Sequence, residues 1–108
     1  MNIIELKSKL EKGQNLGAEV VYIKEENLLC GIGSIYKDQE DKSITILKSD
    51  EETIKVSDFI KLLNEICVNI GNGQVYTGSS EYCREGCKEI VSLEFAQYEL
   101  TKMIFINI

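Results

Sequence analysis

The chain has 108 residues, 44% hydrophobic and 28% charged, with a formal net charge of −6 and neither histidine nor proline. This is the length of one domain (residues 1–108), with enough apolar residues for a core. Arg84 is the only arginine, so the concentrated basic footprint that direct nucleic-acid binding needs is missing. Without histidine, Ser/His and Cys/His catalytic pairs and histidine zinc sites are excluded.

No apolar run approaches the roughly 18–20 residues of a membrane helix. Met1 opens a segment with Glu5 near its start and no signal layout. The expectation is a cytoplasmic chain whose four cysteines, at 30, 67, 83 and 87, are reduced thiols.

Asn2 is placed to cap a first helix, with Glu5 three residues on in a capping-box relation. Ile3, Leu6 and Leu10 form its apolar stripe, and Gly13 is expected to end it.

Residues 18–56 read as four strands in succession. Ala18 to Ile23 is apolar on both parities, as in a strand covered on both sides. After the turn Glu25-Glu26-Asn27, residues 28–36 place Cys30, Ile32 and Tyr36 on one parity and Leu29 and Ile35 on the other. Gly31 and Gly33 interrupt this run and point to a bulge. The motif lacks the third glycine of a dinucleotide fingerprint and opens no helix. A polar turn at 37–42 leads to a third strand, Ser43 to Leu47. The acidic turn Ser49-Asp50-Glu51-Glu52 leads to a fourth, Thr53 to Val56. Connections this short predict an antiparallel meander.

Ser57 is the expected N-cap of a second helix carrying Phe59, Leu62, Leu63, Ile66 and Ile70 at helical spacing, with Gly71 as its stop. Gly71-Asn72-Gly73 is a turn, and Gln74 to Thr77 a strand. Residues 88–100 read as a strand, with Val91, Leu93 and Phe95 on one face. Thr101-Lys102 is the expected turn into a closing strand, Met103 to Ile108, with Ile104, Ile106 and Ile108 on one face. So apolar a strand needs a neighbour, within the domain or in a homo-oligomer. The predicted fold is α+β: a small curled antiparallel sheet, SH3-like or a half-barrel meander, with one or two packed helices.

Four groups of residues are candidates for chemistry. Cys83 and Cys87 flank Arg84-Glu85-Gly86. Their spacing exceeds that of the usual pair, and Cys30 and Cys67 lie in separate apolar settings, so plain thiols are preferred over zinc or a redox pair. No metal, cofactor or catalytic residue is implied. The turn at 38–41 lacks the ligand spacing and glycine of a calcium loop.

The acidic turns are more informative. In a meander the first and third turns share one end of the sheet, so Glu25 and Glu26 should approach Asp50, Glu51 and Glu52. This acidic knob is the expected contact for a protein partner with a basic surface. An alternative lies in the C-terminal half. There Tyr76, Ser79, Ser80, Tyr82 and Arg84 could line a pocket for a nucleotide-like ligand, with Tyr98 a further contact residue.

The short lysine-bearing helix from Ile3-Ile4-Glu5-Leu6 to Leu10, leading into Ala18-Glu19-Val20-Val21-Tyr22-Ile23, resembles small acidic proteins of phages and mobile elements of Gram-positive bacteria. The resemblance covers the first quarter of the chain and carries no catalytic motif. It implies a class that includes non-enzymatic inhibitors of host defence systems.

Overall fold

The computed structural model describes residues 1–108. Helix α1 (Ile3–Asn15) is followed by strands β1 (Val20–Glu25), β2 (Leu28–Asp38), β3 (Ser43–Ser49) and β4 (Ile54–Lys55), then helix α2 (Val56–Ile70). Strand β5 (Gln74–Gly78), a 3-10 turn (Arg84–Gly86), β6 (Lys88–Glu89), β7 (Ser92–Tyr98) and β8 (Thr101–Asn107) complete the chain. No helix is long and apolar enough to cross a membrane.

The fold is α+β, with a curled, half-barrel sheet in the order β6-β5-β3-β2-β1-β8-β7. The β1–β2 and β2–β3 hairpins are antiparallel, as connection length predicted. The sheet as a whole is mixed, because β3 pairs parallel with β5 and β1 parallel with β8. Both parallel pairs have long connections, α2 lying within the first, as parallel pairing requires.

The fourth strand departs from the meander. β4 pairs with β1, not β3, matching Val20 with Lys55 and Val21 with Ile54. β2 is hydrogen-bonded to β1 only from Leu28 to Cys30 and to β3 from Gly31 onward. β4 takes the stretch of β1 that β2 leaves open. To get there the chain crosses β2 at Gly31, where any Cβ would overlap the Glu52 carbonyl oxygen.

The bulge expected from Gly31 and Gly33 is present, as a register shift between Ile32 and Ser34. It reverses the side-chain parity of β2. Cys30 pairs with Ile23 before it, and Ile35 with Ile46 after it. These positions share the concave face, whereas Tyr36, opposite Thr45, faces outward. Simple alternation had put Ile35 and Tyr36 on the wrong faces.

The helices fill the concave face. Leu6, Leu10, Phe59, Leu63 and Ile66 pack with Val21, Ile23, Ile44, Ile46, Val75, Ile104 and Ile106 in one core. Asn2 caps α1 as expected: its Oδ1 accepts from the Glu5 N–H at 2.8 Å and its Nδ2 donates to Glu5 Oε1 at 2.7 Å. The helix continues past Gly13 to Asn15, and Gly17 makes the left-handed turn, at φ 99°. Helix α2 begins one residue before Ser57, with no side-chain cap. The Val56 N–H donates instead to the Glu19 carbonyl at 2.9 Å, so β4 runs directly into the helix. The single strand expected over residues 88–100 is two: Lys88–Glu89 pairs with β5 and Ser92–Tyr98 with β8, at opposite edges of the sheet. The β7–β8 turn is Glu99-Leu100, with Thr101 already paired to Tyr98.

Candidate functional site: an acidic end and an outer cleft

The first and third turns lie at the same end of the sheet. Glu25 pairs with Leu28 at the β1–β2 turn, while Ser49 pairs with Gly31, three residues further along β2. That offset is roughly 10 Å of strand. β5 runs parallel to β3, so Ser79, Ser80 and the start of β6 reach this end as well.

Glu25 does not behave as its neighbours do. It shares the concave parity with Ile23, and its carboxylate meets Lys48 at 2.8 Å and also Lys88. The hydrogen bond from Lys48, then that from Lys88, and their charges hold the Glu25 carboxyl at about 2. Lys24 is engaged by Glu94 at 3.7 Å, and its ammonium lies 5.3 Å from the Phe105 ring centre. All three lysines of this end therefore serve internal pairs. Glu26, Asp50, Glu51 and Glu52 are exposed and take part in none of the ion pairs. Ser49 Oγ accepts the Glu51 and Glu52 N–H groups at 3.2 and 2.9 Å, which fixes the turn.

The second candidate region is on the outer face of the sheet. Strand register lines up Tyr36, Thr45, Tyr76 and Glu89 in one row across β2, β3, β5 and β6. Residues 79–87 fold back over this row. The Tyr82 ring stacks on Tyr36, centroids 3.8 Å apart and planes 12° from parallel. Arg84 donates to Asp41 Oδ2 at 2.9 Å, and Cys87 Sγ lies 3.9 Å from Thr45 Oγ1.

Beneath this loop is a cleft of about 340 Å³ lined by Asp41, Ser43, Thr45, Tyr76, Tyr82, Arg84, Cys87 and Glu89. Loss of water around the Tyr82 hydroxyl pushes its pKa up; Cys87 and Tyr36 add to this, and Arg84 opposes it. Tyr76, Tyr82 and Arg84 thus converge as the sequence suggested. Ser79 and Ser80 do not join them; they border a separate hollow with Cys30, Lys48 and Asp50. Tyr98 lies on β7, on the other side of the molecule's strand order.

Ser43 and Thr45 form the cleft floor, 8% and 3% exposed. The sequence reading takes Ser43 to Leu47 only as a strand and gives these two hydroxyls no role. The detectable signal was their alternation with Ile44 and Ile46. All four cysteines are free thiols, and no three His, Cys, Asp or Glu side chains are grouped to hold a metal. No family model, curated protein or solved structure matches the chain.

Proposed function

We propose that the protein is a non-enzymatic binding protein that presents its acidic end to a basic surface of a macromolecular partner and occludes it. An inhibitor carried by a phage or mobile element would act in this way. One observation carries the reading: every lysine of that end is engaged internally, while Glu26, Asp50, Glu51 and Glu52 take part in no ion pair. Carboxylates clustered within about a Debye length act on an approaching partner as one patch, and such patches set encounter rate and orientation. The test is capture from a host extract on the immobilised chain, eluted stepwise with salt and identified by mass spectrometry. The reading expects a basic protein released by salt. Retention of acidic proteins only, or elution insensitive to salt, would refute it.

A second reading is a small-ligand binder that sequesters a nucleotide-like molecule in the outer cleft. The convergence of Tyr76, Tyr82 and Arg84 over the Ser43 and Thr45 hydroxyls supports it. Such a site offers aromatic surface, hydroxyl donors and one guanidinium. A thermal-shift panel of nucleotides tests it; no shift with any of them would remove the reading.

A further inference from the structure

The two edges of the sheet differ sharply. At one edge is β6, two residues long and charged, Lys88 and Glu89. Short, charged edges are protected against pairing. At the other edge is β7, seven residues in unbroken register with β8. It contains no proline, no lysine and no bulge, and its one charge, Glu94, is met by Lys24. The closing strand β8 has both sides occupied, by β1 and β7. Any pairing through the C-terminal hairpin must therefore use β7.

The backbone pattern shows which groups are free. The Lys102 carbonyl accepts from Glu19, and the Ile108 N–H donates to the Lys24 carbonyl. Even-numbered residues of β8 thus face β1, and odd-numbered ones face β7. The register pairs those odd residues with Ser92, Glu94, Ala96 and Tyr98. By alternation, the N–H and C=O groups of Leu93, Phe95 and Gln97 point away from β8. None of them has a partner elsewhere in the protein.

We propose that β7 pairs antiparallel with β7 of a second copy, about a two-fold axis at Phe95. An axis there places Phe95 opposite its counterpart and Leu93 opposite Gln97, so that all three free residues on each copy are bonded. Glu94 then faces Ala96, which avoids a like-charge contact. An axis at Glu94 would set two carboxylates against each other, and it would need the Val91 N–H, which is already donated to Asn107. An axis at Ala96 would leave Leu93 facing the Glu99 turn. The Phe95 register also brings Leu100 and Val91, 96% and 76% exposed, close to each other across the axis. The chain's net charge of −6 opposes self-association generally, but the one charge on β7, Glu94, is met by Lys24. The pairing is isologous and closes at two copies.

Sedimentation equilibrium over a concentration series tests this. The expected mass is twice the 12.2 kDa of one chain. Gln97→Pro removes an outward donor and obstructs the incoming strand while sparing the β7–β8 bonds. Phe95→Lys sets two ammonium groups together on the axis. Each should return the mass to 12.2 kDa, with an unchanged circular dichroism spectrum establishing that the variant is folded. A wild-type monomer throughout the series, a species larger than a dimer, or a dimer that survives both substitutions would overturn the proposal.

Discussion

Glu25 and Lys88 are joined in an ion pair although β2, β3 and β5 lie between their strands in the sheet. The contact is possible only because the sheet curls until its β1 and β6 ends approach at the acidic end. Lys48, on the intervening β3, completes a three-residue cluster across that opening. Glu25 is thereby a structural residue, set apart from the four free carboxylates beside it.

A pH dependence follows from this cluster. The folded-state Glu25 carboxyl sits at about 2, below its ordinary 4.5. A lowered value means that the stabilisation is present above pH 4.5 and is lost as pH falls through about 2. Glu25→Gln should lower the melting temperature at neutral pH, and the gap to wild type should close on acidification to pH 2. A constant gap across that range would show that the two lysines do not set the carboxyl's titration.

Gly31 permits the chain to cross β2. Gly31→Ala should cost about 1–3 kcal/mol, the usual range for overpacking, because the new methyl meets backbone that cannot rotate away. At Gly33 the nearest atom to an added Cβ is the Ser49 Cβ at 3.0 Å, so Gly33→Ala should be milder. Urea denaturation of both variants checks the order. Equal stability of Gly31→Ala and wild type would contradict the crossing.

The Tyr36–Tyr82 stack fastens residues 79–87 over the outer face. Tyr82→Ala should remove about 0.5–1.5 kcal/mol of that attachment. Arg84 is the one site for an arginine-specific protease and is exposed. Cleavage there should accelerate about two- to tenfold in the variant if it proceeds through loop opening. An unchanged rate would mean that the stack does not hold the loop.

Local pattern revealed the hairpins, both helices and the C-terminal strands, because each buries one face and alternation or helical spacing records it. Phe59, Leu63 and Ile66 on α2, and Ile104 and Ile106 on β8, are buried as their spacing implied. What pattern did not reveal was the pairing of β4. A two-residue strand carries no period, and its destination depends on β2 diverging from β1. Nor did it reveal the parity of Ile35 and Tyr36, since two glycines announce a bulge without saying where the register shifts. The shared end of the acidic turns was legible from loop length alone. The capture of Glu25 by Lys48 and Lys88 was not, because it arises from curvature that brings together residues 63 positions apart. Likewise Tyr76, Tyr82 and Arg84 were legible as neighbours in sequence, whereas Ser43 and Thr45 reach them only through the parallel β3–β5 pairing.

The most direct test of the acidic-end account compares two charge reversals with the same change in net charge. Glu51→Lys with Glu52→Lys alters the fixed turn. Glu11→Lys with Glu65→Lys alters exposed helix positions that take part in no ion pair. The measurement is the association rate constant with the captured basic partner at low salt. The account predicts a fall of about tenfold or more for the first pair and little change for the second. Equal losses from both pairs would mean that only overall charge matters, and no loss from either would mean that the partner docks elsewhere; each result contradicts the account.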